Sequence, residues 1–125
     1  MLLVDTSVLI DHLRGDARAV GRLRTALNAG DELWSVVVTR TEILAGARAP
    51  ELDAIAGLFR HLQWLEVTSD LADAAGGLAA RYLRSHPGID TVDYLIAAAA
   101  QHLGAELLTQ NVRDFPMFAG LRPAY

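Results

Sequence analysis

The first thirteen residues, MLLVDTSVLIDHL, constrain the fold of this chain more than any other stretch. Leu2, Leu3 and Val4 form an unbroken apolar run, the pattern of a strand covered on both faces in a parallel sheet. Asp5 ends the run abruptly. Thr6 and Ser7 are good helix-starting residues, and Val8, Leu9 and Leu13 mark one apolar helical face. A carboxylate therefore stands at the C-terminal end of a predicted central strand, the edge where open α/β sheets bind ligands. Alone, Asp5 suits a helix cap equally well. The decision rests on whether other acids meet it there.

The rest of the chain repeats the strand-then-helix pattern. A helix is predicted from Ala17 to Ala29, with Arg14, Arg18 and Arg22 at four-residue spacing. Glu32 to Val38 reads as a second buried strand, and Thr39 opens a helix running to Ala47. A further helix spans Leu52 to Leu62, with Trp64 to Val67 a short strand after it. A long alanine- and glycine-rich helix runs from Ser69 to Leu83, before His86, Pro87 and Gly88 break the pattern. Asp90 or Thr91 caps the next helix, TVDYLIAAAAQHLG, whose small side lets it pack closely against a neighbour. Glu106 to Thr109 is a fourth strand, Asn111 to Phe115 a turn or short helix, and a last strand is possible near Leu121. This alternation predicts a three-layer α/β/α domain around a central parallel sheet of four or five strands.

Composition narrows the functional classes. A length of 125 residues predicts one domain, residues 1–125, with a sizeable core. Hydrophobic residues make up 52%, with a mean hydropathy of +0.24, which predicts surface buried against a partner or a second copy. The chain has no cysteine, so thiolate metal sites are excluded and a cytoplasmic location is expected. Tyr94 to Ala100, the longest apolar stretch, is too short to span a bilayer. The net charge of −4 counts against a protein that grips nucleic acid through its phosphates alone. Yet all 11 basic residues are arginine, whose planar fork suits phosphate and carboxylate.

Three further acids share the position of Asp5. Glu42 lies just inside the helix after the second strand, Asp93 in the first turn after the Pro87–Gly88 break, and Asp114 shortly after the fourth strand. In a parallel sheet the C-terminal strand ends open on one edge, so distant acids can converge there. The competing reading is local: Thr39-x-x-Glu42, Asp90-x-x-Asp93 and Asn111-x-x-Asp114 all have capping-box spacing. If the acids do converge, their repulsion requires protons or cations. No histidine stands at ligand spacing, so an all-oxygen site for Mg²⁺ or Mn²⁺ is left, with in-line hydrolysis of a phosphodiester as its chemistry. His12, His61, His86 and His102 are scattered and suit surface or capping roles, while Phe59, Trp34, Trp64 and Tyr94 suit the core.

With these motifs in place, the sequence resembles a known family. LLVDTSVLID, TEILAG, DYLIAAAAQHLGAELLTQN and RDF, in that order, resemble the PIN-domain nucleases and, more closely, the VapC toxins of bacterial toxin–antitoxin pairs. The resemblance runs from Met1 to Leu121. It implies a Mg²⁺- or Mn²⁺-dependent endoribonuclease acting on RNA, a homodimer, and inhibition by a cognate antitoxin. It places Asp5 and Asp93 as direct metal ligands, Glu42 and Asp114 as the accompanying acids, and Thr6, Thr109 and Asn111 as polar residues lining or orienting the site. Many members carry an acid where Asn111 stands, which leaves the fourth acid to Asp114. The alternative is a PIN-like module that binds RNA or a partner without catalysis. A receiver domain would need a lysine near its acids, and the chain has none; an aspartate-nucleophile phosphatase would need an acid where Ser7 stands. An alkyl-rich groove lined by arginine is the expected antitoxin dock, with Arg14, Arg18 and Arg22 as candidates.

Overall fold

The computed structural model describes all 125 residues, Met1–Tyr125. Strand β1 (Leu2–Val4) is the centre of a four-stranded sheet. It pairs in parallel with β2 (Leu33–Val36) on one side and β4 (Glu106–Leu108) on the other, and β3 (Gln63–Leu65) lies outside β2. The order β3-β2-β1-β4 puts the unbroken apolar run where two neighbours and two faces cover it. Leu3 is fully buried and Val4 nearly so.

Six helices flank the sheet: α1 (Thr6–Leu13), α2 (Ala17–Asn28), α3 (Val37–Ala45), α4 (Leu52–Phe59), α5 (Ser69–Tyr82) and α6 (Thr91–Leu103). Side-chain alternation along the strands splits the core in two. Leu2, Val4, Leu33 and Leu108 pack with Val8, Leu9, Leu23, Ile55 and Leu58 of α1, α2 and α4. Leu3, Val36 and Leu107 face the other way, against α5 and α6. In α6 the small residues Ala97 to Ala100 are all buried, so a helix with no large side chains there fits between α5 and the sheet. Gly104 ends α6 in a left-handed conformation (φ +62°) that other residues rarely adopt.

Several predicted boundaries differ: α4 ends at Phe59 rather than Leu62, and β3 covers Gln63–Leu65 rather than Trp64–Val67. The second strand stops at Val36 rather than Val38, and α3 begins at Val37 with no loop between them. Its last ladder partners are Trp34 with Leu3 and Val36 with Leu65, so beyond Val36 no neighbouring strand offers hydrogen bonds. Helical turns satisfy the backbone there despite the strand preference of Val37 and Val38. No fifth strand forms near Leu121. Gly120 takes φ +72°, Pro123 lacks an N–H, and a single backbone bond from Ala124 to the Thr109 carbonyl joins this segment to the end of β4. No helix is long and apolar enough to cross a membrane.

The buried polar residues are Asp5, Thr6, Ser35, Thr39 and Thr109. All lie at the C-terminal ends of β1, β2 and β4 or just beyond them. Polar groups are costly to bury without partners, so their concentration at one sheet edge marks that edge as the place where chemistry is held.

Candidate active site

Asp5 leaves β1 while its backbone N–H still bonds the Leu108 carbonyl of β4. Its carboxylate makes no helix-capping hydrogen bond. Instead its Oδ2 accepts from the Ser7 hydroxyl at 2.8 Å and from the Thr109 hydroxyl at 2.7 Å. Both side-chain bonds reach the same oxygen, Oδ2. Burial pushes the Asp5 carboxyl above its ordinary value, and the Thr109 and Ser7 hydroxyls pull it part of the way back. Asp5 thus stands at the N-cap position of α1 while its strongest side-chain partners, Ser7 and Thr109, hold it at the sheet edge.

Glu42 does not close a capping box with Thr39, because α3 starts two residues before Thr39. Its Oε1 accepts from the Thr6 hydroxyl at 2.7 Å, and Thr6 in turn lies 3.1 Å from the hydroxyl of the fully buried Thr39. Asp93 is a genuine box partner: its N–H donates to Asp90 Oδ1 at 2.9 Å, and its own Oδ2 accepts from the Asp90 N–H at 3.3 Å. The local role and the convergence of acids coexist at this residue. Asp114 ends a short 3₁₀ turn, Val112–Asp114, that the Asn111 carbonyl holds through the Asp114 N–H; the Asn111 side chain makes no capping bond.

Asp5, Glu42, Asp93 and Asp114 line one open cavity of about 410 Å³, with Thr6 and Asn111 on its wall. Thr109 stands behind it, holding Asp5. Asp11 and Asp90 add two more carboxylates, and Arg14 is the one basic residue on the wall. Burial first, and then Asp90 and Asp114, push the Asp93 carboxyl up to about 7, although the Asp90 N–H works in the opposite direction. No three of these acids stand close enough together to form a ready-made ligand set. The N-termini of α1 and α6 open on the cavity, and their partial positive charge offsets some of the repulsion.

Sequence spacing overlooked Ser7, Asp11, Arg14 and Gln110 as parts of this region. Ser7 and Asp11 are four apart on α1, a signal that both share the face Asp5 introduces. The chemistry of the donors fits a hard divalent cation: carboxylate, hydroxyl and amide oxygens, with no sulfur or imidazole on the wall. Such an ion would stabilise the charged form of Asp93 that burial and its neighbours disfavour.

A second groove, of about 440 Å³, lies between α2 and α4 and has a different character. Val20, Leu23, Leu27, Leu58 and Leu62 line it, with Arg24 and Arg60 at its sides and no carboxylate. This is an alkyl-rich groove with arginines, but not those expected. Arg18 is paired with Asp16 at 3.0 Å and stacked over Tyr125, whereas Arg14 belongs to the acidic cavity. His12 also departs from a surface role: it is half-buried in this groove, its Nδ1 has no hydrogen-bond partner, and burial with nearby His61 lowers its pKa. Trp34 and Trp64 are only half-buried, whereas Phe59 and Tyr94 are in the core.

Residues 2–121 match the family described as the PIN domain. The chain belongs to the PIN-domain family. Within it, the chain is 49% identical over 125 residues to ribonuclease VapC19 of Mycobacterium tuberculosis, covering all of both chains. It is 41% identical to ribonuclease VapC10 of the same organism, covering 100% of this chain and 93% of that one. A solved toxin–antitoxin complex from Klebsiella pneumoniae contains a chain that superposes with a TM-score of 0.81 at 25% identity, covering 100% of this chain and 98% of that one. A VapBC2 structure from Rickettsia felis, bound to a promoter DNA fragment, gives the same TM-score at 15% identity and shows the shared fold. The VapC resemblance carried by the N-terminal strand and the TEILAG and RDF stretches thus holds over the whole PIN domain.

Proposed function

We propose that this PIN domain is a VapC-type ribonuclease toxin whose chemistry takes place in the acidic cavity and depends on Mg²⁺ or Mn²⁺. One observation carries the assignment of the site: Asp5, Glu42, Asp93 and Asp114, drawn from four separated parts of the chain, share one cavity wall. Full-length identity to named ribonucleases supports the activity.

Asp5 and Asp93 would hold the cation, with Glu42 and Asp114 as the accompanying acids on the same cavity wall. When bound, the cation would supply charge neutralisation and make a water it holds more acidic than bulk water. The chain's own residues prepare for it. Thr109 and Ser7 fix the Asp5 carboxylate on the cavity wall, while Thr6 and Thr39 hold Glu42 in one orientation. Glu42 is placed to accept a proton from an attacking water. Arg14, which makes no salt bridge, offers its guanidinium to a phosphate that enters this otherwise anionic site. Asn111 adds a neutral donor and acceptor where a further acid would raise the repulsion.

The RNA substrate enters from solvent, since the cavity is open on one side. In this reading the protein is silenced by a cognate antitoxin, which the likeness to a chain of a solved toxin–antitoxin complex supports, and it works in the cytoplasm as a pair with a second copy of itself. The Arg24- and Arg60-sided groove between α2 and α4 offers that antitoxin an apolar bed. The test is RNA cleavage by purified protein with Mg²⁺ or Mn²⁺, with excess EDTA, and by the Asp5→Asn and Asp93→Asn variants. Cleavage is expected only for the parent with metal. Undiminished cleavage in EDTA, or by either folded variant, overturns the metal site.

A further inference from the structure

Resting on the cation site just described, the geometry points to residues Ala124 and Tyr125 as a strap that positions Asp5. Tyr125 is joined to three separate elements. Its hydroxyl donates to Asp11 Oδ2 on α1 at 2.6 Å, and the Arg18 guanidinium of α2 lies 5.4 Å from its ring centre. Its backbone is held at both ends by one side chain: the Gln110 amide nitrogen donates to the Tyr125 carbonyl at 3.3 Å, and the Tyr125 N–H donates to Gln110 Oε1 at 3.2 Å. Next to it, the Ala124 N–H donates to the Thr109 carbonyl at 2.9 Å.

Those two anchor points, Thr109 and Gln110, are the ones that hold the carboxylate of Asp5. The Thr109 hydroxyl donates to Asp5 Oδ2 and accepts from the Asn111 N–H at 2.9 Å. The Gln110 N–H donates to the Ser7 hydroxyl at 3.3 Å, and that hydroxyl donates to the same Asp5 oxygen. An unbroken series of hydrogen bonds therefore runs from Tyr125 through Gln110 and Ser7 to Asp5, with a parallel branch through Ala124 and Thr109. The loop 109–111 follows the short strand β4, whose ladder ends at Leu108, so the sheet itself does not fix it. The strap supplies the missing restraint. Tyr125 touches no reacting atom in this scheme and is a positioning residue, acting as outer partners of a metal ligand do. At Asp11 the same residue also occupies one oxygen of an acid on the cavity wall.

The test compares Gln110→Ala, Gln110→Glu and Tyr125→Phe with a control, Leu78→Ala, that weakens the core on α5, a helix that contributes no residue to the cavity or the strap. Mn²⁺ affinity of the RNA-free protein is measured by calorimetry, kcat and KM on one RNA, and amide exchange at Gln110. Gln110→Ala is expected to weaken Mn²⁺ binding and lower kcat by about tenfold each, with KM within about twofold and faster exchange at the loop. Tyr125→Phe should lose about threefold, since it keeps the ring and backbone clamp. Gln110→Glu keeps an oxygen facing the Tyr125 N–H and should recover part of the loss. Leu78→Ala should lower Tm yet leave Mn²⁺ affinity at the parent value. If Gln110→Ala does not fold, Gln110→Glu and Tyr125→Phe decide. Parent-like Mn²⁺ affinity and kcat in these variants overturn the strap and leave the nuclease site standing; a parent that binds no Mn²⁺ overturns both.

Discussion

Leu3 and Asp5 are two residues apart on one chain segment and almost equally hidden, at 0% and 3% exposure, yet they sit in opposite environments. Leu3 packs into the alanine-rich layer with α5 and α6, a region of apolar contacts alone. Asp5 lies at the edge where hydroxyls from Ser7 and Thr109 compensate for its lost water. The difference separates two uses of burial. In the first it supplies free energy of folding; in the second it consumes some, and holds a carboxylate in a state that a cation can exploit.

That contrast predicts substitutions with separable effects. Asp5→Asn should reduce kcat by at least about a thousandfold while Tm stays at or above that of the parent, because a costly buried charge is removed. A matched loss of Tm would instead make Asp5 structural. Leu78→Ala, in the layer that covers Leu3, should show the reverse: about 2–5 kcal/mol less stability in urea unfolding, with kcat of the folded fraction unchanged. Arg14→Ala should raise KM about tenfold with little change in kcat or stability, and the effect should shrink at high salt. A salt-independent change would remove Arg14 from substrate contact.

The smallest effect expected is on pH dependence. Asp93 binds its proton more tightly in the folded protein, at about 7 against an ordinary 3.8. Its contribution to stability is therefore full below the unfolded value and declines as pH rises toward 7, opposite to a salt-bridged carboxylate. Metal-free protein should lose roughly a few degrees of Tm between pH 4 and 7. Asp93→Asn should flatten that slope, and saturating Mn²⁺ should reverse it. A flat profile in the parent would show that Asp93 is solvated.

Much of the architecture was legible because its causes are local or periodic. The Leu2–Val4 run, the alanine face of α6 and the Gly104 stop follow from strand burial, close packing and glycine's left-handed freedom. The parallel order made a shared edge for the acids foreseeable. Where the sequence misled, non-local effects decided. Val37 and Val38 favour a strand but find no neighbouring strand. Leu121 is surrounded by residues that cannot complete a ladder. Thr39 has the spacing of a cap, yet it is buried within α3 beside Thr6. The roles of Gln110 and Tyr125 left no periodic trace at all, since they depend on where a late segment of chain returns to α1.

The bond from Thr109 to Asp5 spans 104 positions of sequence. A nascent chain that stops short of Thr109 therefore carries the Asp5 carboxyl without the hydroxyl that holds it, and this edge of the sheet is assembled only after β4 has been made.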